Sequence, residues 1–202
     1  MTLLANHPER NVIRLLLKQN AILKHLEDED HLQLERHLKI FDGGKGDFLL
    51  HQGVRQMEQY FIIDGILKRV VSNKEGKEMI LRFADEHDME TSYAAWRLGT
   101  PTPYGIVCVT KARVAHMPLH EWAAFIEARP KLKSAFEYFV MGVMSEIMAH
   151  TITLHLLDAP GACARSGARG PALAERIPQK QLASHLNLSP ETLSRLRQSG
   201  KI

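Results

Sequence analysis

The sequence predicts an α+β protein. It reads as an N-terminal β sandwich or barrel with flanking helices, one long helix, and a C-terminal helix-turn-helix. Three observations carry this reading. Short β-branched and aromatic runs, separated by turn residues, fill the stretch from Ile40 to Met117. An apolar seam of helical spacing runs from Lys131 to Leu157. A helix, a tight turn and a capped second helix are written into Ile177 to Arg197.

Before the strands, Val12, Leu15, Leu16, Ile22, Leu23 and Leu26 recur at helical spacing, and Leu32, Leu34 and Leu38 continue it after the acidic break at Glu27–Asp30. The strand candidates are Ile40–Phe41, Phe48–Leu50, Tyr60–Ile63, Ile66–Val71, Met79–Phe83, Ile106–Val109 and Val114–Met117. Turn signals at Gly43-Gly44, Gly46-Asp47, Gln52-Gly53, Asp64-Gly65, Asn73–Gly76 and Thr100–Pro103 separate them. Leu119 to Ala128 reads as a short helix, and Pro130 opens the next.

The long helix carries Leu132, Phe136, Phe139, Val143, Ile147, His150, Leu154 and Leu157 at steps of three and four. An apolar seam of about 25 residues exceeds the average helix of ~11–12 residues and asks for a partner helix. Phe136, Phe139, Val143, Ile147 and Leu154 are the expected dimer contacts. Met141, Met144 and Met148 read as core fillers. Pro160, Gly161, Gly167 and Gly170 then mark a linker, or a local reading-frame error, before helical pattern resumes at Pro171.

In the last segment Leu182, Ala183 and Leu186 form the buried face of a first helix. Asn187 stands where the chain must turn sharply, because Asn tolerates the left-handed conformation. Ser189 is the N-cap of a second helix, with Pro190 at its first position and Leu193 and Leu196 facing inward. Glu191 and Arg195 share its outer face. In a DNA major groove an arginine bonds bidentately to guanine and a glutamate accepts from cytosine N4. Glu191, Ser194 and Arg195 are therefore the candidate base contacts, and Gln179, Lys180, Ser189, Thr192 and Arg197 the candidate phosphate contacts. The plain alternative is an exposed Glu191–Arg195 pair worth a few tenths of a kcal/mol.

Charge agrees with a polyanion partner. After Asp158 there are seven basic and two acidic residues, which leaves 19 basic and 21 acidic residues for the preceding part. The two cysteines, Cys108 and Cys163, are too few for a disulfide framework or a four-cysteine metal site and fit a reducing cytoplasm. No signal peptide is read at Met1 to Arg10, and no apolar run approaches the ~20 residues of a membrane span, so no membrane partner is expected. No nucleophile–base set, metal spacing or phosphate loop suggests an enzyme.

These residues resemble the Crp/Fnr superfamily of transcription regulators. Ser189 to Arg195 is similar to that family's recognition helix. Its E-x-x-S-R pattern resembles the Fnr branch, which reads a T-G-A-containing half-site. Leu49 to Gly53, Tyr60 to Gly65 and Glu75 to Leu81 are similar to the family's cyclic-nucleotide-binding-type β-roll. The resemblance covers about residues 20–202. It implies a double-stranded β-helix (jelly-roll) sensor domain over 1–129, a dimerisation helix over 130–158, and a winged-helix/helix-turn-helix domain with its linker over 159–202. It also implies double-stranded DNA, a second copy of the chain, RNA polymerase and an unknown small-molecule effector as partners.

Two departures bear on the effector. The family's Gly-Glu position falls on Thr91-Ser92, and its Arg-Ser position falls on Thr102-Pro103. The phosphate of a cyclic nucleotide thereby loses its charge-assisted contact, so cAMP is not the expected effector. Arg97 is the one nearby replacement. Thr91, Ser92, Tyr93, Trp96, Arg97, Thr102 and Tyr104 are the candidate effector pocket. No cysteine cluster precedes Cys108, which speaks against an iron–sulfur sensor, and no cofactor is expected. Haem would need an axial ligand among His51, His87, His116 and His120, and a lone histidine is more often a hydrogen-bonded residue. The rival reading is a small-molecule or haem-sensing β-roll with a degenerate DNA head, because little chain follows Arg197 to build a β-wing.

Overall fold

The computed structural model describes residues 2–156 and 171–199. The glycine-rich stretch over 161–170, with Cys163, lies outside them. Two antiparallel sheets face each other. The first holds β1 (Thr2–Leu3), β2 (Lys39–Gly43), β9 (Ala112–Pro118), β4 (Glu58–Asp64) and β7 (Met89–Thr91), in that order. The second holds β3 (Phe48–Leu50), β8 (Gly105–Cys108), β5 (Leu67–Ser72) and β6 (Glu78–Ala84).

The seven expected strands all form, and β1 and β7 are additional. Turn chemistry sets their order. Gly65, between β4 and β5, has φ +89°, and a Cβ there would sit 2.3 Å from the carbonyl oxygen of Lys111. Only glycine fits that approach. The β5–β6 hairpin is held by Asn73, whose side-chain oxygen accepts from the backbone N–H groups of Glu75 and Lys77. Between the sheets lie Leu50, Tyr60, Ile62, Leu67, Ile106 and Val114.

Helices cover both outer faces. The N-terminal helical pattern splits into α1 (Arg10–Leu17) and α2 (Asp28–Glu35), joined by a salt bridge between Arg14 and Glu35. A short α3 (Tyr93–Arg97) follows β7, and α4 (Leu119–Glu127) follows β9. The long α5 (Pro130–Leu156) has 27 residues. Its first half packs on the five-stranded sheet. Phe136 is fully buried and meets Trp122 edge-on at 5.4 Å and Tyr93 at 5.0 Å. By length and composition α5 is long and apolar enough to cross a membrane.

The outer face of the four-stranded sheet is apolar as well, and the C-terminal helices cover it. These are α6 (Pro171–Arg176), α7 (Gln179–His185) and α8 (Pro190–Gln198). Ile66, Val70, Ile80, Phe83, Val107 and Val109 share one buried cluster with Leu173, Ile177, Leu182, Ala183, Leu186 and Leu193.

Candidate DNA-reading head and sensor crevice

The head is built as its residues require. In α7 Leu182, Ala183 and Leu186 are buried. Asn187 takes φ 54°, the left-handed turn between the helices. Ser189 caps α8, its hydroxyl oxygen accepting from the Thr192 N–H at 3.1 Å. Leu193 is fully buried, and Leu196 is half-buried against the same cluster. Glu191, Arg195 and Arg197 are exposed along α8, with Ser194 and Thr192 half-buried beside them. The backbone N–H of Glu191 itself and the Ser189 hydroxyl hold the Glu191 carboxyl below its ordinary pKa, with a smaller contribution from Arg195. Gln179 and Lys180 are exposed at the start of α7.

Specific bonds dock the head on its sheet. Arg176 makes a two-pronged ion pair with Glu86, which also accepts from the Gly65 N–H. Burial alone would raise the Glu86 pKa, but Arg176 and these backbone donors hold it at about 2. His185 bonds the Ile80 carbonyl through Nδ1 and stacks on His150 of α5 at 3.9 Å. Burial lowers the His150 pKa.

The second feature is a narrow, half-open crevice between the sheets and α5. The space enclosed in it is about 20 Å³, room for about one water molecule. Thr91, Tyr93 and Tyr104 line it, as the sequence suggested, together with Arg69, Arg82, Met89, Ala94, Phe139, Val140, Val143 and Met144. The other four expected residues face elsewhere. Ser92 and Thr102 are buried with their hydroxyls 3.3 Å apart. Trp96 stacks on Tyr93, and Arg97 is exposed with its guanidinium over the Tyr93 ring.

Sequence reasoning left no cation at this site apart from Arg97, and the structure corrects that. Arg69 of β5 and Arg82 of β6 are both buried. Arg69 donates to Glu90 and to the Thr91 carbonyl, and lies 4.2 Å over the Tyr104 ring. Burial opposes its charge, but Glu90 restores it and leaves the pKa above the ordinary value. Arg82 pairs with Asp88 and with Glu90. The cluster therefore holds two cations and two anions. The alternating strand pattern was the available signal, since it turns Arg69 to the same face as the buried Leu67.

Along α5 the expected dimer contacts divide. Phe136 and Val143 are buried in the chain's own core, which removes both from an outer seam, and Phe139 is half-buried beside the crevice. Ile147 and Leu154 are half-buried. The exposed apolar row is Tyr138, Met141, Met144, Met148, Ile152 and Leu156, so the methionines are not core fillers. Of the four histidines considered for haem, none lines the crevice. His116 pairs with Glu58, and His51 stacks on Phe48. Among the described residues no three His, Cys, Asp or Glu side chains converge on a metal position.

Residues 44–129 match the cyclic nucleotide-binding domain. That domain spans β3 to α4 and includes most of the crevice, but neither α5 nor the head. The chain is 24% identical over 185 residues to mouse patatin-like phospholipase domain-containing protein 6. The match covers 81% of this chain and 14% of that protein, so the chain spans about one seventh of its curated relative. Two solved structures share the fold. One is the c-di-GMP-responsive global regulator CLP of Xanthomonas campestris, at TM-score 0.69 and 12% identity, covering 86% of this chain and 92% of that one. The other is a CooA variant from Carboxydothermus hydrogenoformans, at TM-score 0.71 and 14% identity, covering 92% and 84%. The cyclic nucleotide-binding-type β-roll is thus common to all three, with helices following it.

Proposed function

We propose that the protein is a sequence-specific DNA-binding transcription regulator of the Crp/Fnr type. It acts as a homodimer on a palindromic site, and its β-roll senses a small molecule other than cAMP. One observation carries the reading. A Ser189-capped helix follows a left-handed turn at Asn187 and leaves Glu191 and Arg195 exposed on one face. Bases are read by such a face, and Gln179, Lys180 and Arg197 around it are placed for phosphates. The fold shared with a global regulator supports the same reading.

Residues 1–129 form the sensor, 130–158 the dimerisation helix, and 159–202 the linker and head. The dimer face is the exposed row from Tyr138 to Leu156 on α5, flanked by Ile147 and Leu154. No second reading is favoured by a specific contact.

Selection from a random DNA pool with the purified chain tests the proposal. An enriched palindrome, with half-sites one helical turn of ~34 Å apart, is the expected result. A pool that stays random, with and without candidate effectors, would overturn it.

A further inference from the structure

Two histidines stand where the β-roll, the long helix and the C-terminal helices meet. His185 ends α7, and its Nδ1 bonds the backbone carbonyl of Ile80 in β6 at 2.9 Å. His150 of α5 bonds the backbone carbonyl of His185 through Nε2 at 3.0 Å. The two rings stack with centroids 3.9 Å apart, and Phe83 of β6 meets the His185 ring edge-on at 5.2 Å. A carbonyl oxygen only accepts, so both of these ring nitrogens carry a hydrogen. The neutral tautomers are thereby fixed, with the hydrogen on Nε2 of His150 and on Nδ1 of His185. β6 is an edge strand of its sheet, and α7 packs on it through the buried cluster of Ile80, Leu182, Ala183 and Leu186.

A further proton on His150 would go to Nδ1. Burial in this junction disfavours the charged ring and lowers its pKa, against smaller opposing effects of the His185 carbonyl and of Glu146, one turn earlier on α5. His155 is exposed near the end of the same helix. On β6 the charged groups are Glu78, exposed and paired with Lys68, and Arg82, buried and paired with Asp88 and Glu90. Asp85 lies beyond the strand and acts on Arg176, which pairs with Glu86. In the head, Lys180 is exposed in the first turn of α7, and Glu191, Arg195 and Arg197 are exposed on α8. Docking therefore favours the neutral ring, and His150 binds a proton more tightly once it reaches water.

We propose that His150 and His185 form an acid-released latch, which holds the C-terminal helices on β6 while both rings are neutral and lets them go when His150 takes a proton. This deepens the regulator reading above and rests on it, because the part released is the proposed reading head. The direction follows from the burial of His150. The latch is at full strength above the ordinary imidazole pKa of about 6.5 and weakens as pH falls below it, by up to about tenfold per pH unit for one proton. Heads held on their sheets present their reading faces in fixed positions, and freeing them costs affinity for a two-half-site target.

Hydrogen exchange of the full chain at about pH 7.5 and about pH 5.5 makes the test, with each rate divided by that of an unstructured chain at the same pH. Amides of α7 and α8 are expected to lose about 10-fold in protection at the lower pH, with β4 and β9 unchanged. His150→Gln keeps an N–H donor near the position of Nε2 and cannot take the proton, so its head should be equally protected at both pH values. In the wild type, the carbon-bound imidazole proton of His150, followed by nuclear magnetic resonance, should titrate with the same midpoint as the loss of protection. Equal wild-type protection at both pH values, a loss that His150→Gln repeats, a loss shared by β4 and β9, or two midpoints that differ would each overturn the proposal. Where the glutamine variant fails to dock at either pH, the two midpoints decide alone. Site selection is run on the same preparation at the higher pH. An enriched palindrome with a head that ignores pH defeats this inference alone, whereas a random pool defeats the regulator reading.

Discussion

Replacing Met148 with glutamate tests the proposed dimer face of α5. Met148 is 60% exposed, and Met141, Met144 and Ile152 lie beside it at 61%, 53% and 47%. With Tyr138 and Leu156 the row has six side chains, and at ~100 Å² each two copies would bury about 1,200 Å², above the ~1,000 Å² expected of a specific interface. Burying about 100 Å² of Met148 is worth ~2.5 kcal/mol per copy at about 25 cal/mol per Å². The residue occurs twice in a symmetric dimer, so the full loss is ~5 kcal/mol, and incomplete burial reduces it to ~2–5 kcal/mol. That weakens the dimer by about 30-fold to 4,000-fold, before repulsion between the two carboxylates is added. Sedimentation across a concentration series reads this directly. The wild-type chain should sediment as a dimer and Met148→Glu as a folded monomer with an unchanged circular dichroism spectrum. A monomeric wild type, or a dimer that ignores the substitution, would refute the assignment of this face.

Other outcomes follow from the head and its docking. Arg195→Ala should relax the preference at one guanine of each half-site at a cost of ~1–3 kcal/mol, while Lys180→Ala weakens all sequences alike; binding measured on single-base variants of the selected site separates the two. The Arg176–Glu86 bridge gives a pH dependence of known sign. The Glu86 pKa is depressed to about 2, so its stabilisation is fully present above the ordinary carboxylate value and is lost as pH falls through about 2. Arg176→Gln should flatten that acid limb in thermal melts, with a loss near neutral pH of ~1 kcal/mol or less because Arg176 is largely exposed. His150 works over a higher range. Its pKa is lowered, so folding favours the neutral ring, and stability should fall as pH drops below about 6.5; His150→Gln should reduce that slope.

The strands were legible because turn residues punctuate them and their apolar content is high. β7 was not, since it is three residues long with a charged residue, Glu90, at its centre. The head was legible almost atom by atom, because Asn187, Ser189 and Pro190 are local signals that tertiary context did not override. The crevice was legible only in part. An arginine in a strand reads as a solvated charge, and the partners that neutralise Arg69 and Arg82 lie up to 21 residues away in sequence. The side of α5 left outside was illegible for a related reason. α5 carries apolar residues on nearly every face, so spacing alone could not say which side its own β-roll would claim. Phe136 and Val143 went inward, and the methionines were left outside.

The buried cluster shared by the head and the four-stranded sheet sets a last expectation. Val70 and Ile80 are each 2% exposed, and they are sheet residues covered in company with Leu182, Leu186 and Leu193 of the head. An independently cored head would not notice a change in the sheet. A head whose core is completed by the sheet would loosen at once. Val70→Asp places a carboxylate in that contact at a cost of several kcal/mol, and the chain can escape the cost only by lifting the head away. Hydrogen exchange should then show backbone amides of α7 and α8 losing protection by about 10-fold or more, with β4 and β9 in the opposite sheet unaffected. Val70→Ala should give the same pattern in weaker form. Unchanged protection in the head, or loss spread evenly through both sheets, would mean that the contact does not couple them. Coupled, the C-terminal helices report on the same sheet whose other face carries Arg69 and Arg82, and the crevice and the proposed reading head lie on opposite sides of one layer of strands.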